Sequence, residues 1–276
     1  MAINDISLTS GMRSNLVSLQ STVQLLNRTQ ERLSSGRKVN SALDNPVSFF
    51  AAQALNGRAE DLSALKDGMG QGIQAIKVAN NGITTISTLI DAAKGLAQQA
   101  LSTTDTTALS VIGMQYSTLM AQLDTVVTDA NYQGVNLLNG SSDLVVNFNE
   151  DNTSSLTVAS VASKAADLGI DTGTVTMTSS SSVSDINTTI TALNTAKATL
   201  RTTSGALSAG LSIIQARQDF TTQMVDTLTA GSDSLTLADM NEEGANMLML
   251  QTRQSLGTTA LSLSSQAAQS VLRLFA

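Results

Sequence analysis

The chain lacks cysteine, histidine and tryptophan altogether, and it holds one proline in 276 residues. Each absence closes a class of function. Without cysteine there is no disulfide framework and no thiolate nucleophile. Without histidine as well, most metal chemistry and most proton-shuttle catalysis are out of reach. Basic residues are also few: 15 Lys and Arg stand against 22 Asp and Glu, a net charge of −7. That balance excludes the basic face that nucleic acid requires. Aromatic residues make up 3% of the chain. A globular core of this size ordinarily uses more large rings, since each buries much apolar area. Here Ala, Leu, Ile, Val and Met carry the apolar content, a set suited to long helices packed closely along their length.

Membrane insertion is not expected. The uncharged run from Gln254 to Leu272 has the length of a span, but more than half of it is Ser, Thr, Gln and Gly. That is too polar for lipid on all sides. The opening "MAINDISLTSGMRSNLVSLQ" lacks the basic start, continuous apolar core and small-residue cleavage site of a signal peptide, so none is expected.

What the chain does have is helical periodicity. Met12, Leu16, Leu19, Val23, Leu26 and Leu33 alternate by four and three, with Gln30 the one polar member. This heptad seam predicts a first helix from about Asp5 to Ser34, stopped by Ser34-Ser35-Gly36. Asn45-Pro46 reads as an N-cap and first helical position. From there Leu62, Leu65, Met69, Gly72, Ile76, Ala79, Ile83, Ile86, Ile90, Ala93, Ala97 and Leu101 keep the spacing without a slip. A helix from Pro46 to Leu101 would span roughly 80 Å. The cap-type run Ser102–Thr107 breaks it, and Leu109, Ile112, Tyr116, Leu119, Leu123, Val126 and Ala130 predict an antiparallel return.

The period ends at "NYQGVNLLNGSSD", Asn131 to Asp143. Strands near Leu144–Phe148 and Leu156–Ser160, around an Asn/Asp-rich turn, predict a hairpin. Nine of the thirteen residues from Thr172 to Ser184 are Ser or Thr, a loop or solvated edge. Helical period resumes at Ile186 and runs through Ile190, Leu193, Leu200, Leu207, Leu211, Ile214, Val225 and Leu228. Gly231-Ser232-Asp233 is expected to punctuate, with a last helix from about Leu237. On that helix Leu256, Ala260, Leu263, Ala267, Val271 and Leu274 form an apolar stripe. The fold class is therefore mostly α: long antiparallel helices in a coiled-coil-like rod, with a small central β-hairpin region at about 135–184. The two terminal seams match in length and are expected to pair.

Candidate chemistry is sparse. Glu242 and Glu243 are adjacent, so on a helix they point about 100° apart and make no facing acid/base pair; both read as a solvated face. "GMGQG", Gly68 to Gly72, lacks the strand and the Lys-Ser/Thr of a phosphate loop and reads as close helix packing. The sequons at Asn27, Asn139, Asn152 and Asn187 are chance matches in a chain this rich in Ser and Thr. The ten methionines read as gap fillers in helix seams rather than metal ligands. No catalytic residue, cofactor site or metal site is expected. Long helices with apolar seams at both ends want partners along their length, and a non-closing contact between copies makes a helical filament.

Two stretches carry a family resemblance. "ERLSSGRKVNSALDNP", Glu31 to Pro46, resembles the segment of bacterial flagellins that follows the first helix: Arg32, Leu33, Ser34, Ser35, Gly36, Val39, Asn40, Ser41, Ala42 and Asp44 stand in the family's places. It departs at Asn45 and Pro46, where many flagellins have Asp-Ala. Ala238–Phe275 is similar to the flagellin C-terminus at Ala238-Asp239, Leu250-Gln251, Gln254, Leu256-Gly257, Ala260-Leu261, Gln266 and Gln269-Ser270-Val271-Leu272. "NYQGVNLLNG" resembles the family's Asn-Gly-Val element. The resemblance covers about residues 1–140 and 185–276.

The resemblance implies a short flagellin, a structural subunit that polymerises into the flagellar filament, is exported as an unfolded chain and has no catalytic site. A hook–filament junction protein of the same superfamily is the alternative. It further implies that residues 1–34 and 239–276 form the filament's inner core, 35–45 and 230–238 its connecting spokes, and 46–229 the outer layer. The expected polymerisation seam is Met12, Leu16, Leu19, Val23, Leu26 and Leu33 with Leu256, Ala260, Leu263, Ala267, Val271 and Leu274. The expected spoke motif is Arg32, Ser35, Gly36, Asn40 and Asp44. Implied partners are further copies of the chain, the flagellar export chaperone, and the cap and hook-junction proteins. The Arg-Glu-Leu-x-Val-Gln type run by which many flagellins are sensed by a Toll-like receptor is matched here by "AAKGLAQQA", Ala92 to Ala100. Lys94 keeps the positive charge and Gly95 replaces the acid, which implies weak or absent receptor activation.

Overall fold

Side-chain caps set where the helices begin. In a computed structural model that describes residues 10–170 and 183–274, with side chains to residue 270, Asn45 Oδ1 accepts the Ser48 N–H at 3.1 Å and opens a helix at Pro46. Asp105 Oδ1 accepts the Thr107 N–H at 2.9 Å and opens the next. Each carboxyl or amide oxygen satisfies a donor that the first helical turn leaves orphaned. The elements are α1 (Ser10–Ser35), α2 (Pro46–Leu101), α3 (Thr106–Asp129), β1 (Leu144–Asn147), β2 (Ser155–Val158), α4 (Val183–Thr236) and α5 (Met240–Leu274). β1 and β2 pair antiparallel, with Leu144 opposite Val158 and Asn147 opposite Ser155. The fold is mostly α with one small hairpin, as the periodicity predicts. The Ser/Thr-rich stretch lies outside the described residues except Val183 and Ser184, which open α4. No helix among the described residues is long and apolar enough to cross a membrane.

The chain divides into two compact units. One comprises the described residues of 1–58 and 227–276, the other those of 59–226. The core of the second unit follows the α2 seam. Met69, Ile76, Ala79, Ile86, Ile90, Ala93 and Ala97 are fully buried, and they meet Tyr116, Met120 and Leu123 of α3 and Leu193, Leu200 and Ile214 of α4 in one apolar cluster. On α3 the inner face runs through Met120 and Val127, one residue past the Leu119 and Val126 that the sequence pattern selects. The hairpin adds Val146, Phe148 and Val158 to the same cluster. Arg217 of α4 covers the Phe148 ring at 5.2 Å, a cation–π contact that closes the hairpin's apolar face.

Gly72 marks where the hairpin meets α2. A Cβ there would lie 2.8 Å from Val146 Cγ2. Gly72 is thus a packing requirement, against the hairpin and not against a helix as expected for "GMGQG", since the Val146 side chain is β-branched, buried and unable to withdraw. Gly72→Ile is expected to destabilise the second unit by about 2 kcal/mol through overpacking. Calorimetry checks this: the main transition of the variant falls by several degrees, while Gly95→Ile, at a site open to space, leaves it within a degree or two.

Gly231 does not punctuate. α4 continues through Gly231, Ser232 and Asp233 to Thr236. Ser232 is buried, and a Cβ at Gly231 would sit 3.5 Å from Leu55 Cδ1. These small residues continue the helix, and a Cβ at Gly231 would make only ordinary contact with Leu55. Helix propensity alone reads them as a stop, and tertiary packing overrides it. The expected boundary at 230 therefore falls inside a helix, and α5 begins at Met240 rather than Leu237.

Candidate assembly surface

α1 and α5 pack on one another along their length. On α1 the face turned to α5 is Met12, Asn15, Leu19, Thr22, Leu26, Thr29 and Leu33, an unbroken three-four alternation of buried and half-buried positions. Four of the six expected seam residues lie on it. Leu16 is exposed and Val23 sits at the edge; Thr22 and Thr29 occupy the seam in their place. Threonine is tolerated there because its methyl packs and its hydroxyl is satisfied locally: Thr22 Oγ1 donates to the Ser18 carbonyl at 2.8 Å.

On α5 the expected stripe does not face α1. Leu256 and Leu263 are 65% and 62% exposed, and Ala260 and Ala267 are exposed too. The face toward α1 is Glu243, Met247, Leu250, Gln254, Gly257, Leu261, Ser264 and Ala268, again in three-four alternation. The correction has a steric cause. At Gly257 a Cβ would come to 3.0 Å from Leu19 Cδ1, so the glycine eases the approach of α1 at this position. A count of apolar residues passes over Gly257 and Ser264 and selects the outer stripe. The side chains of Val271 and Leu274 lie outside the described residues.

α5 therefore carries two heptad faces about 100° apart. One is covered by α1. The other, Met249, Arg253, Leu256, Ala260, Leu263 and Ala267, apolar but for Arg253, is open. A groove of about 280 Å³ runs beside it, lined by Asn15, Ser18, Leu19 and Thr22 of α1 and by Arg253, Leu256, Gly257 and Ala260 of α5.

At the other end of the pair stands a residue whose role the pattern does not reveal. Glu243, expected on a solvated face, is only 7% exposed, and its Oε1 accepts Arg32 Nη1 at 2.9 Å. The two lie 211 residues apart in sequence. No single-helix pattern exposes such a pairing.

The segment after α1 is held by local hydrogen bonds. Gly36, at φ +71°, donates its N–H to the Arg32 carbonyl at 2.8 Å and ends the helix in the left-handed conformation that suits glycine. Arg37 and Leu237 then form an antiparallel bridge; the Ala238 N–H donates to Gly36 O and the Lys38 N–H to Thr236 O. Asn40 Nδ2 donates to Ser35 Oγ. Asp44 Oδ2 accepts the N–H groups of Asn40 and Ser41, both at 3.0 Å, and the Ser41 hydroxyl at 3.3 Å. The expected motif residues Ser35, Gly36, Asn40 and Asp44 thus share one turn network, and Arg32 joins the helix pair instead.

The Asn40 and Ser41 N–H groups hold the Asp44 carboxyl below its usual value of 3.8. The folded value is depressed, so the turn's contribution is present above the unfolded value and is lost as pH falls through the folded one. The Asn40 and Ser41 amide resonances are expected to titrate with a midpoint below 3.8. Asp44→Asn removes that titration, and a midpoint at the ordinary aspartate value contradicts the hydrogen-bond account.

Known proteins resemble the chain along its whole length. Residues 3–143 match the family model described as "Bacterial flagellin N-terminal helical region". Flagellin FljK of Caulobacter vibrioides is 31% identical over 276 residues, with both chains fully covered. A flagellin of Brucella melitensis is 30% identical over 271 residues, covering 94% of this chain and 95% of its own. The crystal structure of Bacillus cereus flagellin superposes with a TM-score of 0.48 at 17% identity, covering 56% of this chain and 88% of that one. With its N-terminal half matching the family model and its full length matching curated members, the chain belongs to the bacterial flagellin family.

Proposed function

We propose that the open face of α5 (Met249, Leu256, Ala260, Leu263 and Ala267) is the surface through which this flagellin polymerises. The chain is a structural subunit of the extracellular flagellar filament, so its surface must meet other copies of itself. The observation that carries the assignment is the second heptad face: a helix with two seams, the outer one apolar but for Arg253, takes two helical neighbours, and one chain supplies only one of them. The flanking groove offers the second neighbour a slot between α1 and α5. The contact is heterologous, one face on one copy meeting a different face on the next, which propagates as a filament.

In this reading the paired segments 1–34 and 239–276 form the inner core of the polymer, the hydrogen-bonded turn at 35–45 with 230–238 forms its spoke, and 46–229 forms the outer layer. The role is structural, with no reaction assigned to the chain. An apolar face left open on a free subunit also calls for cover before assembly, and the chaperone, cap and junction proteins of the flagellar system are the partners we assign to it. Deleting residues 256–276 tests the reading. The truncated chain is expected not to elongate filament seeds while its second unit keeps its helical circular dichroism and thermal transition; elongation at the full-length rate overturns it.

A further inference from the structure

Five methionines buried or half-buried in the structure, Met12, Met69, Met120, Met224 and Met247, serve as gap fillers. Three others are exposed: Met114 at 63%, Met240 at 47% and Met249 at 47%. Of these three, only Met249 lies on the open face of α5. It stands one heptad before Leu256 and two before Leu263, which puts it on the same side of the helix as both.

We propose that Met249 is an oxidation site that gates assembly, reactive in the free subunit and protected in the polymer. This rests on the assignment of the open α5 face as the polymerisation surface. The co-reactant is a peroxide. Its terminal oxygen is transferred to a lone pair of the thioether sulfur; the O–O bond breaks, an S–O bond forms and water leaves. The sulfur is oxidised by two electrons and the peroxide reduced by two. The product is a polar sulfoxide in place of a flexible apolar side chain. On an exposed face it costs the free subunit nothing. In a closed helix seam its oxygen must give up its hydration to be buried beside Leu256 and the neighbouring copy. An oxidised subunit is therefore rejected at the growing end, whereas a subunit already in the filament is shielded. Reduction of the sulfoxide restores competence.

Hydrogen peroxide is the probe. Full-length subunits are treated, the sulfoxides are mapped by mass spectrometry, and the critical concentration for seeded elongation is compared with each protein's own untreated sample. Oxidation is expected to raise it about tenfold in the wild type, the cost of dehydrating a polar group in a seam. The ratio falls to about one in Met249→Leu and stays near tenfold in the double variant Met114→Leu/Met240→Leu. In preformed filaments Met114 is expected to oxidise as in the subunit and Met249 much more slowly. A Met249→Leu protein that loses assembly on oxidation as the wild type does, or equal oxidation of Met249 in filaments and subunits, overturns the proposal. Failure of the underlying surface assignment reads differently: untreated Leu256→Asp subunits would then elongate seeds normally.

Discussion

Replacing Leu256 and Leu263 together by Asp is expected to abolish filament growth and leave the free subunit folded. Both side chains are more than 60% exposed, so the substitutions remove little packing from the subunit. Surface changes of this kind shift stability by about 0.5 kcal/mol or less. In the polymer the same positions close against a neighbour, and two carboxylates are buried there, of which only the one at 256 has a cation, Arg253, one turn away. Each costs several kcal/mol in a dry seam, and about 1.4 kcal/mol is already tenfold in an equilibrium. The critical concentration then rises by more than about a hundredfold, beyond any practical protein concentration. Sedimentation and electron microscopy with added seeds read the outcome. The matched control is Leu250→Asp, on the inner face and 4% exposed, which is expected to disrupt the α1–α5 pair in the subunit itself. Double-Asp subunits that grow filaments normally would contradict the surface assignment.

The second large effect concerns Arg32 and Glu243. Glu243 is the more buried partner, its side chain 9% exposed against 29% for Arg32. Arg32→Ala leaves a carboxylate buried without its cation and is expected to cost the helix pair about 2 kcal/mol, below the range for fully buried pairs because Arg32 is partly solvated. Glu243→Ala strands a cation that reaches water, and it costs less. The double variant Arg32→Met/Glu243→Leu recovers most of the loss, since apolar residues of similar volume replace a buried pair at little cost. Amide exchange across α1 and α5 measures all three. Equal and small effects of the two single substitutions would show that the pair does not hold these helices together.

We read the pair as a register lock. Both inner faces repeat every seven residues, so sliding α5 by one heptad along α1 still matches seam to seam. Only the registered position brings Arg32 to Glu243. A slip separates the charges and leaves Glu243 among apolar neighbours.

The sequence is most readable where one residue type answers one question. The α2 seam is legible residue by residue, because Ile76, Ile86, Ile90 and Ala97 are apolar, heptad-spaced and buried. The start of α2 is legible because Asn-Pro has a local mechanism that needs no tertiary contact. The hairpin is legible from its alternation and its turn residues.

The assembly surface is legible in its residues and not in its orientation. Leu256, Ala260, Leu263 and Ala267 stand out by period, yet period does not say which of two seams meets α1. Gly257 packs closely against Leu19 on the seam that does, a contact between two ends of the chain. Thr22 and Thr29 are hidden because hydropathy scores them as polar while their methyl groups pack. Glu243 is hidden because its partner is 211 residues away. Gly231 misleads because a glycine inside a helix and a glycine that ends one look the same in one dimension.

A reconstruction of the assembled filament at side-chain resolution tests the central claim most directly. The account predicts that Met249, Leu256, Ala260 and Leu263 are covered by a helix of a neighbouring copy, while the Arg32–Glu243 pair and the Gly257–Leu19 contact stay within one subunit. A filament in which that α5 face lines open solvent, with neighbours meeting elsewhere, would contradict it.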